Sequence, residues 1–131
     1  MQNLKVEKIV MDIGIENKMK SKKQKLKEEC VKIATQKKLE EHPKCMFCNS
    51  EANTAHHFIR QSRSNYLRCD SRNLIPICQS CHCRLHNGFE SIMSLQLRKM
   101  LGDEWADGLI EDSRKTIKDT LKHWRDLKDK L

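Results

Sequence analysis

CMFCNSEANTAHHFIRQSRSNYLRCDSRNLIPICQSCHCRLHNG, residues 45–88, holds two Cys-x2-Cys pairs, Cys45/Cys48 and Cys78/Cys81, separated by 29 residues. Four thiolates in two close pairs satisfy a tetrahedral zinc ion without either loop changing shape. Such a site is full, with no position left for water or substrate, so zinc there is expected to be structural. The competing reading, two unrelated pairs of buried cysteines, has the matched spacing against it. The same stretch carries histidines for which a four-cysteine site has no room: His56 and His57 side by side, His82 directly after Cys81, and His86 four residues on. His82 and His86, at i and i+4, share a helical face and can reach one ion. His56 and His57, if on a strand, point to opposite sides, so one can bind metal while the other faces a water. A second, open metal site fits these leftover side chains.

His56-His57, then Asn73, then Cys81-His82 with His82 nine residues after Asn73, resembles the HNH, or ββα-metal, nucleases over roughly residues 45–87. The resemblance implies that His56 binds the catalytic metal, that His57 is the general base and that Asn73 braces the loop orienting it. It further implies that His82 is the second metal ligand and His86 the additional ligand found in the nuclease colicin branch. Many members carry aspartate where this chain has His56. A longer resemblance, through His57-Phe58-Ile59, Leu67-Arg68, Asn73, the second cysteine pair, Leu85, Asn87-Gly88 and a helical tail, is to the phage recombination proteins of the NinG, or Rap, family. That family has glycine and asparagine where this chain has His56 and His82. Together the two imply a metal-dependent DNA endonuclease, phage or phage-derived, working in recombination or DNA processing and including branched DNA, with 5′-phosphate and 3′-hydroxyl products.

Neutral imidazole, with an ordinary pKa of about 6.5, can take a proton from water at physiological pH. Imidazole ligands suit zinc, nickel, manganese or cobalt better than magnesium, but phosphate and water oxygens complete the sphere, so the catalytic cation stays open among Mg2+, Mn2+, Ni2+ and Zn2+. Arg60, Arg63, Arg68 and Arg72, with Tyr66 among them, crowd the connection between the histidine-bearing elements and are candidate DNA-backbone contacts, since guanidinium forks match phosphate oxygens. The bland alternative is a solvated loop. His42 and His123 read as ordinary surface or core histidines.

Outward from this centre the apolar pairs Phe58-Ile59 and Leu74-Ile75 suggest two short strands joined by a long connection from Gln61 to Arg72. A helix is expected from Gln79 onward with a break at Asn87-Gly88. Upstream, nine lysines between Lys18 and Lys38 flank a narrow seam of Leu26, Cys30, Ile33 and Ala34, which predicts a basic helix ending before Pro43. Residues 1–17, with Val6, Ile9, Val10 and Ile13, fit one helical face or a short strand. Downstream, Ile92, Leu95, Met100, Leu101, Trp105 and Leu109 read as helical around Gly102. Ile117, Leu121, Trp124, Lys128 and Leu131 predict a final helix capped by Asp112 or Ser113. Trp105 and Trp124 are expected to pack rather than to stack on bases.

The expected architecture is α+β: an N-terminal basic helical extension over residues 1–43, a zinc-stabilised ββα-metal core over 44–89 and a C-terminal helical tail over 90–131. The tail could pack on its own core or form a homodimer through its helices. The 131 residues carry 26 basic against 18 acidic side chains, a formal charge of +8, and only 5% aromatics. A thin core favours a metal staple, and the charge favours DNA or another polyanion, RNA included, over a neutral partner. Seven cysteines cannot all pair within one chain, and no apolar run fits a membrane helix or secretory signal, so a reducing cytoplasm, bacterial or phage-infected, is the expected setting. A reading of a different class keeps the zinc scaffold but makes the protein a non-catalytic DNA-binding module.

Overall fold

Lysine, glutamate and glutamine are good helix formers, and Lys22–Glu41 forms one continuous helix, α1. Ser21 caps it by accepting the Gln24 amide at 3.1 Å, and the ladder stops at His42, which precedes Pro43. The buried seam is Lys27, Cys30 and Ala34. Leu26 and Ile33 are half-buried, because the seam turns toward Lys27, whose stem is covered while its ammonium reaches the Asp119 carboxylate at 2.9 Å. The computed structural model describes residues 20–131; the expected apolar face of Val6, Ile9, Val10 and Ile13, and the lysine-rich segment's start at Lys18, lie outside the described residues.

Two short strands follow, β1 over Thr54–His57 and β2 over Leu74–Ile77. They pair antiparallel, with His56 opposite Ile75 and His57 opposite Leu74. β1 thus ends where Phe58-Ile59 was expected to be a strand. The reason is Asn73: its backbone carbonyl takes the Phe58 amide at 3.0 Å and its side chain takes the Ile59 amide at 2.7 Å, bending the chain out of the sheet. β2, buried throughout, leads at Cys78 into α2, Gln79–Arg84. A wide helical turn, Leu85–Phe89, is interrupted at Asn87 and at Gly88, whose φ of 97° favours glycine, so the chain breaks where Asn87-Gly88 was expected to break it.

Beyond the break lie α3, Glu90–Leu101, and α4, Asp103–Asp112, separated by Gly102. The last helix, α5, spans Leu121–Lys130 and is capped by Thr120, whose hydroxyl accepts the His123 amide at 3.2 Å. Its expected caps, Asp112 and Ser113, instead close α4, and Ile117 lies before the helix, because Asp119 and Thr120 hold the entry to α5. Trp124 is fully buried, with the Cys30 thiol of α1 3.5 Å from its carbonyl, so the apolar stripe of α5 packs on the chain's own first helix. The fold is α+β, and its central cluster is Cys45, Ile77, Cys78, Cys81, Leu85 and Met93, with Phe47 against it. Among the described residues no helix is long and apolar enough to cross a membrane.

Candidate functional site

The first cysteine pair sits on a tight knuckle. The Cys45 amide donates to Ser50 O at 2.6 Å, the Asn49 amide donates to Cys45 O at 2.9 Å, and Asn49 turns the chain at φ 62°, a region asparagine tolerates. Cys78 ends β2 and caps α2, its sulfur accepting the Cys81 amide at 3.4 Å. The four sulfurs lie within 4.8 Å of one another, and Cys48 Sγ is 3.6 Å from Cys78 Sγ. Zinc–sulfur bonds of about 2.3 Å in a tetrahedron put sulfurs about 3.8 Å apart, so the four cysteines fit a structural metal such as zinc. The Cys81 amide and Ser50 hydroxyl bring the Cys78 thiol down to about 6, while burial pushes Cys81 up to about 12. A bound cation supplies the positive charge that burial denies the Cys81 thiolate.

The histidines line an open cleft of about 620 Å³ beside this cluster. His56 and His57 come from β1, His82 from α2 and His86 from the turn after it, with Val31 and Thr35 of α1 as a facing wall. His82 and His86 set their Nε2 atoms 3.0 Å apart, close to the roughly 3.3 Å separation of two nitrogens on one tetrahedral ion. His56 stands farther off, its ring centroid 6.3 Å from that of His82. Among the described residues only the cysteines bring three or more ligand atoms within 4.8 Å of one another, so the imidazole set is a close pair with a third member across the cleft. Burial, then the neighbouring His82 and His57 rings, brings His56 down to about 4, and burial lowers His57 and His82 as well. All three stay neutral near pH 7, the form that binds metal or accepts a proton.

His57 is held by a closed ring of hydrogen bonds. Its Nε2 lies 2.8 Å from Arg68 O, which can only accept, so Nε2 carries the proton and Nδ1 the lone pair. The Arg68 guanidinium donates to Gln61 Oε1 at 2.8 Å, which turns the Gln61 amide nitrogen toward His57 Nδ1, 3.4 Å away. That last bond is long enough for a water to take its place. Asn73, with no exposed surface, fixes the loop around this ring: its amide also donates to Ile59 O at 3.0 Å and Leu67 O at 3.2 Å.

The four loop arginines have different surroundings. Arg68 is committed to Gln61 and Asn65, and Arg72 to Asp70 and Asp112, while its carbonyl accepts the Trp105 indole N–H at 3.0 Å. Arg60 lines the cleft with a single guanidinium nitrogen, Nη2, shared between the two Glu90 oxygens, and Arg63 is exposed beside Tyr66 and Lys115. Gln61 and Glu90 are not among the site residues expected from sequence. Their only signal is position, Gln61 four residues after His57 and Glu90 four after His86. Compared with known proteins, the chain matches no family model, no curated protein and no solved structure.

Proposed function

We propose that this chain is a metal-dependent endonuclease of the HNH type that hydrolyses DNA phosphodiester bonds, with His57 as general base. The observation that carries this reading is the His57–Arg68–Gln61 ring, which fixes the proton on Nε2 and leaves Nδ1 as an acceptor faced only by the long contact to the Gln61 amide, on a residue that lines the cleft with His56, His82 and His86. A structural residue has no need of a fixed tautomer beside three potential metal ligands, whereas a base must hold its lone pair toward the water it deprotonates.

His82 and His86, with His56 across the cleft, would hold a divalent cation, which when bound supplies positive charge to the scissile phosphate and the departing 3′ oxygen. His57 Nδ1 takes the proton of the attacking water, and Arg68 O, accepting from Nε2–H, stabilises the imidazolium that results. Asn73 keeps the loop from Ile59 to Leu67 in place through these steps. Cys45, Cys48, Cys78 and Cys81 would hold a structural metal such as zinc, which would tie β2 and α2 to the knuckle and so fix His82 relative to β1. The formal charge of +8 favours a polyanionic substrate. We place the activity in DNA processing or recombination, in a phage or phage-derived setting.

The test is cleavage of supercoiled plasmid, a synthetic four-way junction and a matched RNA, each with Mg2+, Mn2+, Ni2+, Zn2+ or no added cation. Metal-dependent DNA cleavage leaving 5′-phosphate ends is expected, and preference for the junction would tie the activity to recombination. DNA binding without cleavage under every cation would contradict the enzyme and favour a zinc-scaffolded binding module.

A further inference from the structure

The residues lining the histidine cleft include one carboxylate, Glu90, and one guanidinium, Arg60, and the two hold each other. Arg60 Nη2 donates to both Glu90 oxygens, at 3.0 and 2.8 Å. Each partner is anchored by backbone: Arg60 directly follows Ile59, which Asn73 clamps, and Glu90 opens α3 just past the kink at Gly88. The side chains are 67% and 43% exposed, so their mutual attraction is small and another anion can exchange for the carboxylate. Arg68 and Arg72, by contrast, are tied into the loop itself.

A carboxylate and a phosphodiester present the same pair of oxygens to a guanidinium fork. While Glu90 occupies Arg60, the formal charges at the cleft mouth cancel. We propose that Glu90 acts as an internal phosphate mimic: it holds the Arg60 guanidinium at the histidine cleft through Nη2 and yields it to a backbone phosphate of the incoming nucleic acid. Glu90 thereby weakens the cleft's grip on polyanions, and Arg60 is the side chain through which the scissile strand is held. The proposal rests on the reading of the cleft as a DNA site, and it gives Glu90 a specificity role: only a ligand with enough further contacts displaces it.

The experiment measures the Kd of a short DNA duplex, with no divalent cation added and at equal zinc content, for the wild type, Glu90→Gln, Arg60→Ala and the double variant. Glutamine keeps the shape of Glu90 and removes its charge. Binding about two- to fivefold tighter is expected for Glu90→Gln, the size of an exposed ion pair, with no such gain in the Arg60→Ala background. Glu104→Gln on exposed α4 measures the effect of removing any negative charge. Equal gains with and without Arg60, a gain no larger than that of Glu104→Gln, or no DNA binding by any variant would overturn the proposal. A chain that nicks plasmid through His57 yet shows no Arg60-dependent gain loses this proposal alone. One that shows the gain and never cuts keeps the role of Glu90 and loses the nuclease.

Discussion

Asn73 spends its whole side chain on backbone groups of the loop: the Ile59 amide and carbonyl, and the Leu67 carbonyl, which it shares with the Asp70 amide. Asn73→Ala leaves the two Ile59 groups without their partner and is expected to cost about 3 kcal/mol in urea unfolding, with activity lost even where the protein remains folded. Gln61 works more locally. Gln61→Leu removes the donor facing Nδ1 and a side-chain acceptor of Arg68, while Arg68 O still holds the Nε2 proton, so the variant loosens the orientation of the ring and keeps its tautomer. Nicking about tenfold slower is expected, with DNA affinity and melting temperature little changed, because Gln61 touches the base and not the core. At this scale the sequence was informative where spacing carries chemistry. The paired cysteines and His82/His86 are legible because two, three or four residues fix who can share an ion. Arg60, Arg63, Arg68 and Arg72 look alike in the chain; the separation of the loop braces Arg68 and Arg72 from the cleft-lining Arg60 depends on Gln61 and Asp70 within the loop and on Asp112 and Glu90 arriving from elsewhere.

Between elements, α1 and α5 meet around Trp124, Cys30 and the Lys27–Asp119 pair. Trp124→Ala is expected to cost about 3 to 5 kcal/mol, the range for emptying a buried aromatic site, and to loosen the α1 wall of the cleft. Asp119 accepts the Trp124 indole N–H at 2.8 Å, and that bond, helped by Lys27 and Lys23, holds its carboxyl at about 2. A depressed carboxylate stabilises the fold above its unfolded pKa of about 3.9, and the contribution disappears as pH falls toward 2. The stability difference between wild type and Asp119→Asn should therefore be constant near neutrality and shrink between about pH 4 and pH 2; a constant difference across that window would contradict the pairing. The helices were legible from periodicity and the Asn87-Gly88 break from its turn chemistry. The start of α5 was not, because nothing in the sequence marks Thr120 rather than Ser113 as the cap until Lys27 has claimed Asp119. The first strand was displaced to Thr54–His57 for a similar reason, as Asn73 captures Ile59 across the loop.

For the molecule as a whole, the buried cluster around Ile77 and Met93 contains three of the four clustered cysteines, so this part of the core and the candidate metal site are one object. A structural zinc in such a site contributes on the order of 10 kcal/mol, comparable to the entire stability of a small domain. One tightly bound zinc per chain is expected, and its removal by a strong chelator should abolish cooperative unfolding; a sharp transition unchanged after zinc loss would contradict the structural assignment. The α+β class was legible from two short apolar pairs set among helical stretches, and the four-cysteine cluster from its spacing, whereas the packing of α5 onto α1 joins residues nearly a hundred positions apart that no local pattern links. The role proposed for His57, base catalysis in a scaffold that survives without it, is tested by plasmid nicking with wild type and His57→Ala at equal zinc content and matched melting temperature: metal-dependent nicking lost by at least about a hundredfold in the variant is expected, and nicking retained at the wild-type rate would rule His57 out as the base.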